Sequence, residues 1–418
     1  MSAQSPASAP AASSRQCVVV KVGTSSILRG DTGRLALSTL ASLVETLSTL
    51  RASGCEVVLV SSGAVGVGCQ RMGYTERPKK LAELQAMAAI GQPHLMRYYD
   101  ELFSALGQPI AQVLLSADAL DSKQGVQAAR ATFQELLRIG VIPVVNENDS
   151  VAVSELRFGD NDSLSALVAI LVGATHLFLA TDVDALYTSN PNVPPPPGMP
   201  PASAIREVSN ITEALQAVET AAGGGGSGTQ WGTGGIATKL KAALLASAAG
   251  ITTVIISAQK PEHIALATKG SREIGTTVLP APKVVASHKR WIMALPVRGT
   301  ISLDAGAARA LRSGSSLFAA GVRTVGGVSG TFGEREAVRV LDENNADLAR
   351  ALVNYASQHV NLLAGHNSSN IQEKLGFPGP EEIANRRNIV LLNSLDDDST
   401  HRGTEYDGPR SSNEEELH

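Results

Sequence analysis

Apolar residues along this chain fall into two alternating textures. Short, nearly unbroken apolar runs recur from Cys17 to about Pro280: CVVVKVG, EVVLVSSG, PIAQVLL, VIPVVNEN, THLFLATD, TTVIISA and TTVLPA. Between most of them lie longer stretches with apolar residues at helical period, such as RLALSTLASLVETLSTLRASG and KLAELQAMAAIGQPHLMRYYDELFSALG. A strand apolar on both faces must be covered on both sides, and strands joined by helices form a mostly parallel sheet. The pattern predicts an α/β domain over residues 16–282, a three-layer αβα sandwich with seven or eight strands. NPNVPPPPGMPPAS, at 190–203, is neither helix nor central strand, because proline lacks the amide donor, and reads as an exposed loop within this domain. AAGGGGSGTQWGTGG is a second glycine-rich segment, and a helix is expected from about Ile236 to Ala249.

The texture changes after Lys283. Short strands, close glycine turns and one short helix starting at Asp304 predict a small β-rich domain over 283–377. Residues 1–15 read as a disordered tail without the apolar core of a signal peptide. Residues 378–418 are polar and acidic and also read as disordered. No internal repeat is visible.

Composition narrows the class. The chain has 418 residues, 43% hydrophobic and 4% aromatic, which suits tightly packed α/β layers better than an aromatic-rich β-sandwich. Formal net charge is −4. The segment 379–418 carries ten acidic residues against four Lys/Arg, so the remainder is nearly neutral and bulk charge makes no case for nucleic-acid binding. No run of about 18 apolar residues predicts a membrane span. The cysteines, Cys17, Cys55 and Cys69, are odd in number and lack zinc spacing, which argues for a reducing, cytoplasmic setting without disulfides.

In open α/β sheets, ligands bind beyond the carboxyl ends of the strands. Small polar and glycine residues recur there. Lys21, Gly23, Thr24 and Ser25 follow the first run, and Ser62, Gly63 and Ala64 the second. Asn146, Glu147, Asn148 and Asp149 follow the fourth, with Asp160, Asn161 and Asp162 shortly after. Thr181 and Asp182 follow the fifth. GTGGIATK, residues 232–239, looks like a phosphate loop, but Thr238 precedes Lys239, the reverse of a P-loop. Lys21, Lys239 and the glycine backbone suit an anion. The aspartates and asparagines suit a charged amine or a metal. Two lysines with no Cys or His nucleophile suit phosphoryl transfer, which needs positioning and charge neutralisation. Taken singly, each motif has an ordinary reading: a glycine run is a linker, N-E-N-D and G-D-N-D are turns, and Asp182 is a helix cap. Their recurrence at one sheet edge favours a site.

Together, VVVKVGTSS (18–26), VLVSSGAVGVG (58–68), VVNENDSVAV (144–153), FGDNDSLSALVA (158–169), ATDVDALYT (180–188) and GTGGIATKLKAA (232–243) resemble the amino-acid kinase family, and within it the branch that acts on glutamate. Residues 288–377, with KRWI near the start and LLAGHNSSNIQEKLG near the end, resemble a PUA domain. The resemblance implies ATP-dependent phosphorylation of the γ-carboxylate of L-glutamate, the first step toward proline, with Mg²⁺ riding on the phosphates and no metal held by protein side chains alone. It implies Lys21, Asp162 and Lys239 as catalytic residues, Asp162 orienting the two lysines. Ser62, Gly63, Asn146, Asp149 and Asn161 should hold glutamate, with Asp149 near its ammonium. Lys21, Gly23, Thr181, Asp182 and residues 233–239 (Thr233, Gly234, Gly235, Ile236, Ala237, Thr238, Lys239) should line the ATP site. It further implies a homo-oligomer, inhibition by proline, and glutamyl phosphate reductase as a partner.

Two alternatives stand beside this expectation. One is another member of the family, acting on N-acetylglutamate, aspartate or a nucleoside monophosphate; Asp149 argues against an acetylated substrate, since an ammonium needs a carboxylate partner. The other is RNA binding or regulation through the PUA-like region. Residues 283–350 carry ten Lys/Arg against six Asp/Glu, mildly basic and without a dense cluster, which favours a structural or regulatory module.

Overall fold

A computed structural model describes residues 15–29, 33–116, 118–120, 123–151, 160–188, 201–211, 214–215, 235–281, 284–286 and 289–392. Residues 1–14 of the expected N-terminal tail, most of the proline-rich loop, the glycine run up to Gly234 and residues 393–418 lie outside them.

The chain enters the fold as β1 (Cys17–Val22), buried throughout, then passes through one turn of helix, α1 (Thr24–Ile27), and α2 (Leu37–Ala52) to β2 (Glu56–Ser61). Next come α3 (Ala64–Arg71), the long α4 (Leu81–Ala105), β3 (Ile110–Leu115), α5 (Lys123–Arg138), β4 (Ile142–Glu147), α6 (Asn161–Val172) and β5 (His176–Thr181). Three two-residue strands follow, β6 (Leu186–Tyr187), β7 (Ala204–Ile205) and β8 (Glu207–Val208). The domain closes with α7 (Ile236–Ala248), β9 (Thr252–Ser257), α8 (His263–Thr268) and β10 (Thr276–Val278).

Eight strands form one sheet in the order β3-β4-β2-β1-β5-β9-β10-β8. The six from β3 to β9 are mutually parallel, and β10 runs antiparallel to β9. All seven apolar runs are strands of this sheet. The eighth, β8, is too short to leave an apolar run of its own.

Strand alternation builds the three layers, since successive side chains point to opposite faces. Cys17 and Val19 of β1, with Val58, Val60, Leu177, Leu179 and Ile255, face α5, α6 and α7. Val18, Val20 and Val22, with Val57, Leu59, Phe178 and Ile256, face α2, α4 and α8. The inner strands are therefore buried on both sides, as a parallel core requires, while β3 at the edge stays partly exposed. The three cysteines are free and buried. Among the described residues, no helix is long and apolar enough to cross a membrane.

The second domain opens with α9 (Arg290–Ala294), β11 (Val297–Ser302) and α10 (Ala305–Arg312), whose first turn is capped by the Asp304 side chain on the Ala307 amide at 2.7 Å. It continues through β12 (Leu317–Phe318), β13 (Val328–Gly330), β14 (Ala337–Leu341), β15 (Asp347–Leu352), α11 (Ser357–Leu363), α12 (Ile371–Leu375), β16 (Glu382–Ala384) and β17 (Ile389–Leu391). Five strands form a sheet in the order β13-β11-β14-β15-β17. The boundary expected at 377 is therefore too early. β16 and β17 lie in the segment read as the start of a disordered tail, and β17 pairs antiparallel with β15. It lies in a four-residue apolar run, Ile389–Leu392, between charged stretches, too brief to stand out by periodicity.

The domains share apolar contacts. Ile292, Met293 and Leu295 of the connecting segment, with Leu352, Val390 and Leu392, belong to the same buried cluster as α5, α6 and α7. Lys289 ties the connection to β17 by donating to the carbonyls of Arg386 and Ile389 at 2.8 and 3.0 Å.

Candidate active site

The carboxyl ends of β1, β2, β4 and β5 and the first turns of α6 and α7 surround a cavity of about 310 Å³. The local chain explains how each side chain arrives there. Lys21 is the fifth residue of β1, and a turn at Gly23 follows it. After β2, Gly63 takes a left-handed conformation (φ 105°) and caps α3. A side chain there would be strained, so only glycine turns the chain sharply enough to leave Ser62 at the rim. Asp160 caps α6, its carboxylate accepting from the Ser163 amide at 2.8 Å, which puts Asn161 and Asp162 on the first turn. Thr238 closes the first turn of α7 on Gly235, its hydroxyl 3.1 Å from the Gly235 amide and 2.8 Å from its carbonyl. Lys239 is the next residue.

Three charges meet at the centre. Asp162 is fully buried (0% exposed), and Lys21 and Lys239 are nearly so. Lys21 Nζ lies 2.6 Å from Asp162 Oδ1, and Lys239 Nζ 3.3 Å from Oδ2. Thr238 donates its hydroxyl to the same Oδ2 at 2.7 Å. Burial by itself would raise the Asp162 carboxyl. The two lysine charges and the hydrogen bonds from Lys21 and Thr238 outweigh it and hold the group below its usual value. Asp160 behaves oppositely: burial, assisted by the Asp162 charge, raises it above the ordinary carboxylate value despite the Ser163 bonds and Lys21.

A second, amide-rich network lies on the β2 and β4 side. Asn161 Nδ2 is within donating reach of Ser62 Oγ at 2.9 Å, Asn146 Oδ1 at 3.0 Å and the Ser61 carbonyl at 3.3 Å. Asn146 donates to Gln92 Oε1 at 2.9 Å and accepts from the Glu147 amide. Asp149, Ser62 and Gly63 line the cavity nearby. On the β5 side, Thr181 donates to Asp182 at 2.9 Å, and both line the cavity together with Gly23, Gly235 and Ile236. Ala237 sits on the same first turn of α7 but is not part of the lining. Thr233 and Gly234 lie outside the described residues.

Sequence reasoning passed over three residues. Gln92 buttresses Asn146 from the middle of α4, where its neighbours show only helical period. Arg77 lines the cavity from the connection between α3 and α4, a charged stretch with no motif. Glu147 was seen only as part of a turn, yet it is buried in the lining. Among the described residues, no three His, Cys, Asp or Glu side chains are grouped to hold a metal. The arrangement combines two buried ammonium groups tied to one carboxylate, a glycine turn leading into a helix, and an amide-rich hydrogen-bonding pocket with Asp149 in its lining. It can neutralise a transferring anion on one side and orient a polar acceptor on the other.

The sequence model of the amino acid kinase family matches residues 16–257, and that of the PUA domain matches 299–375. Over 377 residues the chain is 50% identical to a protein named glutamate 5-kinase from Trichormus variabilis, covering 90% of this chain and 99% of that one. It is 47% identical over 391 residues to the protein of that name from Microcystis aeruginosa, covering 93% and 100%. With the Synechococcus elongatus protein of that name it shares 48% identity over 378 residues, covering 90% and 99%. By its central charge cluster, its parallel sheet and these near full-length similarities, the chain belongs to the amino acid kinase family, alongside the glutamate 5-kinases, with a PUA domain following the kinase domain.

Proposed function

We propose that this chain transfers the γ-phosphoryl group of ATP to the γ-carboxylate of L-glutamate, giving ADP and γ-glutamyl phosphate. The observation that carries the reading is the buried Lys21–Asp162–Lys239 cluster, supported by relatives of near 50% identity named glutamate 5-kinase. Two lysines against one carboxylate leave a net positive charge where the phosphoryl group would pass. Asp162 fixes their direction, so that little reorganisation is needed as charge develops.

On this reading the two substrates divide along the strand order. β2 and β4 lie on one side of β1, and β5 and β9 on the other. The β2 and β4 flank, with Ser62, Asn146, Asp149 and Asn161, takes glutamate, the Asp149 carboxylate serving its ammonium. The β5 flank, with Thr181, Asp182 and the first turn of α7, takes the nucleotide, which enters with Mg²⁺ on its phosphates. Lys21, on β1 itself, stands at the junction. The attacking oxygen belongs to the substrate carboxylate, ionised at neutral pH, so no general base is needed. It bonds to the γ-phosphorus as the bond to the β-phosphate oxygen breaks, and ADP leaves with that electron pair.

Proline, with the same α-carboxylate and a secondary amine, fits the glutamate pocket as a competitive inhibitor. Turnover is tested by ADP release with ATP, Mg²⁺ and L-glutamate, hydroxylamine trapping the acyl phosphate. Aspartate, N-acetylglutamate and UMP serve as alternative acceptors. Glutamate-dependent hydroxamate that disappears in Lys239→Ala is the expected result; turnover with a different acceptor overturns the substrate assignment. Proline inhibition that glutamate fails to relieve overturns the shared pocket.

A further inference from the structure

A second cavity, about 240 Å³, lies between the domains. One wall is formed by α6 and α7, through Ser163, Leu167 and Lys241, and the other by β14 and β15, through Arg339, Asp347 and Arg350. Arg339 and Arg350 are paired across those two strands. Arg339 holds both oxygens of Asp347, at 2.6 and 2.8 Å. Arg350 is held at its guanidinium head, where Nη1 donates to the carbonyls of Met293 and Leu295 in the segment joining the domains. Burial lowers its guanidinium to about 10, still ionised at neutral pH.

Two properties distinguish this cavity. Its described lining carries three cations and one carboxylate, an excess of positive charge in a confined and partly apolar space, where an anion is attracted more strongly than in open water. It also adjoins the reaction centre through the chain itself. Ser163 follows Asp162 on α6, and Lys241 is two residues beyond Lys239 on α7.

We propose that this interdomain cavity binds a small organic anion bearing carboxylate or phosphate groups, and that its occupancy is transmitted through α6 and α7 to Asp162 and Lys239. A bound anion draws Lys241 and the arginines of the second domain together, which shifts α7 relative to α6 and so changes the spacing of the Asp162–Lys239 pair. Where the anion changes the affinity for nucleotide, linkage requires nucleotide to change the anion's affinity by the same factor.

Calorimetric titration of the full-length chain with inorganic phosphate, and separately with succinate, tests the site without relying on catalysis. Three proteins are compared: wild type, Lys239→Ala, and the double variant Lys241→Gln/Arg339→Gln, with Lys241→Gln alone used if the double variant fails to fold. The expected result is a binding event that persists in Lys239→Ala and weakens about tenfold or more when the cavity cations are removed. The anion that binds identifies phosphate or carboxylate as the recognised group. The glutamate-dependent rate of wild type should change about fivefold at saturation, and the double variant should keep its basal rate and lose the response. If neither anion binds outside the reaction centre, or binding ignores the double substitution, the cations are only an interdomain brace and the site is overturned. Binding without a change in rate overturns the transmission. The transmission rests on the proposed kinase reading, whereas the binding event is independent of it.

Discussion

Thr238 donates its hydroxyl to the Asp162 oxygen that also faces Lys239, at 2.7 Å against 3.3 Å for the ammonium. The residue before the lysine thus helps hold the carboxylate that the lysine needs, which accounts for the Thr-Lys order that departs from a P-loop. Thr238→Val removes the hydroxyl and its link to Gly235 while keeping the volume. Its kcat should fall by about tenfold, the loss of one hydrogen bond to a charged group. Thr238→Ser should recover most of the rate in the hydroxamate assay. An undiminished rate in Thr238→Val would show that the hydroxyl bond to Asp162 does not support turnover.

Asp160 and Asp162, two residues apart, should respond oppositely to neutralisation. Asp162→Asn strands two buried lysines and should destabilise the fold by about 3–5 kcal/mol while abolishing turnover. Asp160 is held above its ordinary value, so its ionised form opposes folding at neutral pH, and Asn can still accept the cap bond. Asp160→Asn should be at least as stable as wild type in urea at pH 7. The pH dependence follows the same signs. The folded-state value of Asp162 is depressed, so its contribution is complete above the unfolded value near 4 and is lost as pH falls through the folded value. The wild type should lose that stability between pH 4 and lower values, and Asp162→Asn should lack that component.

Gly91 in α4 and Gly68 in α3 let the two helices touch backbone to backbone. A Cβ on Gly91 would fall 1.8 Å from the Ala64 carbonyl oxygen and 2.5 Å from the Gly68 amide nitrogen. Gly91→Ala must push the helices apart, at a cost of at least the upper part of the roughly 1–3 kcal/mol typical of overpacking. Because α3 begins at Gly63 beside the cavity, KM for glutamate should rise with the loss of stability. Normal KM in a destabilised variant would place the α3–α4 contact outside the site's support.

Gln92 reaches the site through Asn146, whose amide it accepts at 2.9 Å. Gln92→Ala should raise KM for glutamate by several-fold with a small effect on KM for ATP, because the amide chain it orients lies on the β2 and β4 flank. Gln92→Glu keeps the acceptor for the Asn146 amide and should restore most of the affinity. Steady-state kinetics with each substrate varied in turn separates the two effects.

The sheet was legible because its strands are covered on both faces and so appear as apolar runs. β8 and β17 were not legible, since two or three residues carry no period and only tertiary pairing makes them strands. Lys21, Asp162 and Lys239 were visible as residues at strand ends and helix starts. Their joining was implied by the family resemblance alone, because Asp162 lies 141 positions from Lys21 and 77 from Lys239 and no spacing rule reports a contact of that range. Gln92 was hidden for the opposite reason. It lies in a well-formed helix whose pattern describes packing and gives no sign of which polar residue faces a cavity. The glycine run posed a different difficulty, since composition indicates an unusual backbone without showing what that backbone meets.

The position of β1 between the two flanks has a consequence for how such a chain diverges. With the acceptor on the β2 and β4 flank, as proposed, loops on that side can change and alter it while the β5 side and Lys21 stay as they are. Selection can therefore explore new phosphate acceptors without rebuilding the apparatus that handles ATP, and a scaffold of this kind lends itself to gene duplication followed by drift of one flank.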